Sequence, residues 1–504
     1  MLACLPSAAC DEGSPEPDYC TELSSEAGSG GRAGGADSSE APASTASGGS
    51  AASVLPGAAA EVSDDYARDV SIMVHDAVRT LLVVTWTQPV ATDETWLEFS
   101  FEGSEPLRSR PKPGAAGAHR DVALGVPAET TVTLRIVARV GNALYASSEY
   151  VATTGELPRR MPRPQIFAHD PARASPERWL FGSVEDSPGG EYSGYYLSTF
   201  WLYIMDRQGR VVWYYADPTS NATSSFQRVA RDGEYIWIEK RAYNGRSRQS
   251  VVKTTLDGEY FEEVPVPGLA DSIDVTSDGG LLYDAANELR ELRPNGEVRR
   301  IWSCRAHFGP SFHCYTNTVS WYEAEDTVLL SFPYQNTVVE IDRGSGELVG
   351  QYGSAPGSWR FAPPLSSPPD AWWFSFQHFP NRTAAGTLLV SSHAPGCRAG
   401  ARPSPYRHAF VEFELDRSAR ALVEKWRYTS GPEWPRAKGM AVRLSNGNTL
   451  VNYGTGGVIR EVTPGGDTVF GVKFDVPTGN DFYNKMVGHN VFIDDLYALN
   501  GGPR

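Results

Sequence analysis

The residues able to do chemistry gather in two stretches. In the first, Cys304 and Cys314 bracket a loop that also carries Arg305, His307 and His313, with Tyr315 just beyond. If this stretch is extended, His313 and Tyr315 point to the same side. There, an imidazole and a phenol could exchange protons with a bound substrate. The cysteine spacing permits a disulfide, which suits an exported protein; two reduced thiols are the other reading. The second stretch, Phe374 to Pro380, reads FSFQHFP and centres on Gln377 and His378. Arg360 precedes it and Arg382 follows the histidine by four positions. No spacing resembles a zinc site. His393, His408 and His489 carry no motif and read as surface or core residues, and His75, His119 and His169 are given no role. Lys438 and Arg443 flank an Asn-Gly-Asn turn and read as a solvated loop.

These residues must be positioned by a recurring block. A small turn, an apolar strand, Glu-Ile/Leu-Asp, a Gly turn and a strand with Trp or Tyr return again and again. Leu202 to Tyr215 reads LYIMDRQGRVVWYY, and Gly280 to Trp302 reads GLLYDAANELRELRPNGEVRRIW. The same parts recur from Thr327 to Tyr352, around an insertion from Thr387 to Tyr428, and from Asn448 to Phe470. Such a unit cannot bury its own apolar faces, so copies pack on one another. Antiparallel copies close into a propeller whose central channel collects loops from several blades. With RWLFGSVED plus STFWLYIM, and DGEYIWIEK, the blades number about six. Tyr315 and Trp321 then read most simply as packing between blades.

The rest of the chain is bounded by composition. At 504 residues, more than one domain is expected. Residues 1–62 are rich in Ser, Gly, Ala and Glu and predict a disordered tail. Leu2-Ala3-Cys4 and Ala8-Ala9-Cys10 resemble the end of a lipoprotein signal without its charged and apolar regions. A tethered, exported envelope protein is the expectation, periplasmic or secreted. Residues 65–156 alternate as a small β-sandwich, with Trp86, Trp96, Leu134, Ile136 and Tyr145 as its predicted core, and are similar to a fibronectin type III module. Residues 158–164 form a stiff basic linker, and 165–504 the propeller. The expected fold is all-β throughout. A net charge of −16 argues against nucleic acid. An anionic substrate needs a local positive pocket inside this acidic whole.

The propeller region resembles the bacterial aryl-sulfate sulfotransferases, six-bladed propellers of the periplasm. Four blocks in register carry the resemblance: Asp274 to Leu282 (DVTSDGGLL), Asn317-Thr318-Val319, Gln377-His378, and Arg443 to Val451 (RLSNGNTLV). The resemblance implies sulfuryl transfer from an aryl sulfate to a phenolic acceptor, with no metal or nucleotide cofactor. A histidine attacks sulfur and a second phenol relieves the sulfo-histidine. His378 falls on that nucleophile. Asn317, Gln377, Asp271 and Arg360 are the binding residues this alignment and its neighbourhood suggest. The sequence also departs from the pattern. Tyr315 stands where the family has a second histidine, Pro333 where it has an arginine, and Asp271 beside Ser272 at a further histidine. His313, with Tyr315 beside it, could supply a proton or a donor, and Arg305, His307, Arg382 or Arg360 could replace the lost cation. The rival reading is a catalytically lapsed propeller, a pseudoenzyme that binds a ligand or envelope protein. Expected partners are aryl sulfates and phenols, a membrane tether through a lipidated Cys, and a second copy in a homodimer.

Overall fold

The computed structural model describes residues 60–185, 200–216, 227–229, 233–240, 250–362, 374–393, 408–429, 438–475 and 486–501, with backbone alone at 227–229, 240 and 475. The tail to residue 59, with Cys4, Cys10 and Cys20, lies outside these residues. Strands dominate, and the helical turns are short. The chain is all-β, as its short apolar runs and Gly turns predict.

Residues 61–153 build two sheets. The larger orders Glu61–Val62, Ala143–Ala146, Thr131–Val140, Thr92–Phe101 and Leu107–Arg108, with Tyr150–Thr153 and Lys112–Gly114 alongside. The smaller orders Arg68–Val74, Leu82–Gln88 and Gly117–Ala123. Val84, Trp86, Leu97, Phe99, Leu134 and Ile136 share one core. Trp96 and Tyr145 do not join it. Alternation turns Trp96 away from Leu97 and Phe99. It packs instead on Val137 and Ala146, with its indole N–H donating to Glu98 at 3.3 Å. Tyr145 stacks on Tyr66 at the sheet margin. Residues 61–62, expected in the tail, pair in parallel with 145–146.

The remaining described strands form six sheets of four or five strands. Their leading strands are Gln227–Val229, Ile273–Val275, Thr318–Tyr322, His378–Arg382, Met440–Arg443 and Val487–Ile493. Each touches the next, and the last touches the first, which closes a ring in the manner of a β-propeller. Val487–Ile493 pairs with Trp179–Glu185, so the last and first parts of the ring lock in one sheet. Arg163–His169 adds an outer strand on Thr468–Asp475, so the basic linker already runs into a sheet.

The glutamate of the repeated block has a structural purpose. Glu340 meets Arg382 of the next sheet at 2.5 Å, Glu291 meets Arg343 at 2.5 Å, and Glu461 meets Arg207 at 2.6 Å. Glu412 likewise pairs with Arg443. The glutamates are almost wholly buried in the first three pairs. A buried carboxylate is tolerated only with a close cation and further donors, so each pair fixes how two sheets meet. The N-terminal unit is docked on the ring by similar means. The Tyr497 hydroxyl donates to the Val122 carbonyl at 2.8 Å and accepts from the Leu124 N–H, and Arg120 pairs with Asp257.

Candidate functional site

The site begins with the backbone that presents His378. Phe376 (φ 43°) and Phe379 (φ 49°) both lie in the left-handed region. For a residue with a Cβ this costs roughly 1–3 kcal/mol and persists only where the surroundings impose it. Here the preceding sheet does so. The Phe376 N–H donates to Asn336 Oδ1 at 2.9 Å, and the Phe379 N–H donates to Thr318 Oγ1 at 3.0 Å. The Gln377 carbonyl accepts from Asn317 Nδ2 at 2.9 Å and from Ser331 Oγ at 3.3 Å. The Gln377 amide in turn donates to Ser331 Oγ and the Thr337 carbonyl. The result is a clamped bend that sets the imidazole at the start of its strand.

A cavity of about 290 Å³, its open mouth included, lies there. Its walls come from the beginnings of four leading strands in succession: Asn317 and Thr318, His378 and Phe379, Lys438 to Met440, then Gly488 and His489. His378 is partly exposed. Behind it two more imidazoles are stacked into the protein. His393 lies 4.9 Å from His378, and His408 lies 4.9 Å from His393. Both are buried.

Hydrogen bonding fixes the state of the His378 ring. Its Nδ1 lies 3.0 Å from the Phe376 carbonyl. A carbonyl can only accept, so Nδ1 carries the proton and Nε2 keeps the lone pair. No described residue bonds Nε2. Burial pushes the His378 pKa well below its ordinary value, and His393 and, more weakly, Lys438 act in the same sense against the Phe376 carbonyl. Burial first, then His393 and His378, does the same to His408. The site therefore holds a neutral imidazole at neutral pH, with an Nε2 lone pair that no described residue engages.

Lys438 enters by an unusual backbone. It adopts φ 64°, and Gly439 follows at φ 113°. A Cβ on Gly439 would stand 2.6 Å from Ser391 Oγ, so only glycine lets this loop come so close. The His393 Nε2–H donates to the Lys438 carbonyl at 2.5 Å. His408 Nε2 lies 3.2 Å from Ser391 Oγ.

The residues singled out in the sequence are not all brought together. Asn317 lines the cavity, but its amide is engaged with Gln377. Gln377 is buried behind the bend. Tyr315 donates to the buried Asp271 carboxylate at 2.8 Å, across two neighbouring sheets. His313 is exposed, and its ring meets Tyr334 at 5.1 Å. Arg382 sits at the far end of the His378 strand, about 13 Å along it, committed to Glu340. Arg360 starts an outer strand beside Ala421. Cys304 and Cys314 are joined, with Cα atoms 5.9 Å apart, and cap a cluster of Trp302, Phe308, Phe312 and Phe332. Lys438, expected in a solvated loop, and His489 line the cavity, while His393 and His408 prove to be core residues behind it. None has a local motif; antiparallel pairing within one sheet brings His393 and His408 to His378, and packing of neighbouring sheets brings Lys438 and His489.

No family model and no curated protein matches the chain. Among solved structures, it is similar to a catalytically inactive virginiamycin B lyase from Staphylococcus aureus with quinupristin, at 10% identity over 66% of this chain and 100% of that one, with a TM-score of 0.34. It is also similar to a nidogen/laminin complex chain, at 8% identity over 62% and 97%, TM-score 0.35. A third is Hsv2p of Kluyveromyces lactis, at 10% identity over 82% and 99%, TM-score 0.31. At these scores the likeness assigns no function to the chain.

Proposed function

We propose that this protein is a six-bladed propeller of the aryl-sulfate sulfotransferase type, behind a fibronectin type III-like sandwich, and that it moves a sulfuryl group between phenols through His378. The observation that supports this reading is the neutral, Nδ1-protonated imidazole at the cavity wall. Its Nε2 lone pair attacks sulfur, and the sulfur–oxygen bond to the aryl group breaks. The phenolate leaves with the electron pair and takes up a proton. An incoming phenol then attacks the sulfo-histidine and gives up its proton, and the sulfur–nitrogen pair returns to Nε2. We assign the carriage of that proton to His489, which lines the same cavity. Splitting the displacement in two lowers each barrier.

The test is a chromogenic aryl sulfate with phenol as acceptor, followed by intact mass. Phenol-dependent colour and a one-sulfo adduct, both lost in His378→Ala, support the reading. One observation favours the rival, a binding propeller without turnover: Arg382 is bound up with Glu340 and unavailable to a leaving group. Absence of both signals across several aryl sulfates supports that rival.

A further inference from the structure

We propose that Lys438 is the anion-binding residue of this site, held beside His378 by His393, and that it receives a tetrahedral oxyanion. The sulfuryl-transfer reading supplies only the identity of that anion as a sulfo group. Three observations converge. Lys438 lines the cavity with His378, and among the described lining residues it alone carries a permanent positive charge. Its backbone is left-handed at φ 64°, an uncommon conformation for a residue with a Cβ. The His393 Nε2–H donates to the Lys438 carbonyl, from the same imidazole that packs on His378. His393 is thus a positioning residue that ties the cation to the nucleophile. The Lys438 ammonium lies 5.2 Å from the centre of the buried Phe200 ring, a face that attracts a cation. Its charge is felt at His378, where it opposes protonation.

The arrangement also answers the charge problem of the chain. A protein of net charge −16 repels anions at long range. A lysine inside a partly enclosed cavity offers a local exception, where a charge-assisted hydrogen bond is strongest.

The experiment is calorimetric titration of the full chain with sodium sulfate, set beside protection of His378 from carbethoxylation by diethyl pyrocarbonate. The wild type binds sulfate. Lys438→Met binds at least about tenfold more weakly, and Lys438→Arg stays within a few-fold of the wild type. His393→Gln weakens sulfate binding while Lys438 itself is intact. Equal binding by wild type and Lys438→Met, or no binding by the wild type, overturns the assignment. Intact, Lys438-dependent sulfate binding without turnover of any aryl sulfate sinks sulfuryl transfer alone and leaves the anion site standing.

Discussion

Arg382 distinguishes a structural role from a chemical one. Its side chain is 2% exposed, and that of its partner Glu340 is fully buried. Glu340 accepts from Arg382 Nη1 and Thr327 Oγ1 through one oxygen, and from the Tyr352 hydroxyl through the other. Arg382→Met leaves that carboxylate buried with two neutral donors and no cation. Loss of one partner from a buried pair costs about 3–5 kcal/mol. The two hydroxyls remain, so the lower end, about 3 kcal/mol, is expected. Chemical denaturation followed by tryptophan fluorescence measures it. The double variant Arg382→Met with Glu340→Gln removes the stranded charge and recovers at least half of the loss. His378 is carbethoxylated at the wild-type rate in the folded single variant, because Arg382 is at the other end of the strand. A loss under about 1 kcal/mol, the worth of an exposed pair, would refute the burial argument. Slowed His378 labelling in folded protein would restore Arg382 to the site.

Other expectations follow from the same geometry. His378 and His408 have pKa values depressed below the ordinary 6.5. The unfolded chain therefore binds protons there first, so these groups cost no stability above pH 6.5 and destabilise the fold as pH falls below it; unfolding midpoints across that range check this, and a flat profile contradicts it. His378 carbethoxylation stays constant through pH 6.5, where an ordinary histidine loses reactivity. Reducing Cys304–Cys314, or Cys304→Ser with Cys314→Ser, lowers stability by about 2–3 kcal/mol for so short a loop, read as a drop in unfolding midpoint. Gly439→Ala, strained by φ and by Ser391, costs more than about 1 kcal/mol and weakens sulfate binding.

Much of the architecture was legible because strands announce themselves by alternation and turns by Gly and Asp. The repeats fell where the sheets are, and the block's glutamate proved to be the residue that ties one sheet to the next. Trp96 shows the limit. Its hydrophobicity was plain, but one step of register decides which face it serves. The site was legible only at His378, its neighbour Gln377 and Asn317, because these lie in short local blocks. His393 and His408 lie on the next two strands of the His378 sheet, while Lys438 and His489 belong with other sheets, and none falls in a local block. Strand pairing within one sheet brings His393 and His408 to His378; Lys438 and His489 arrive where neighbouring sheets pack, and two left-handed bends shape the site, which periodicity does not encode. Arg382 misled for the converse reason. Four positions along a strand is near in sequence, yet it spans the depth of a blade.

The most direct measurement is the intact mass of the full chain after brief incubation with an aryl sulfate and no acceptor. A one-sulfo adduct mapped to His378, discharged by added phenol, is the predicted result. An unmodified protein, or an adduct that persists in His378→Ala, would contradict the claim that this imidazole accepts the group.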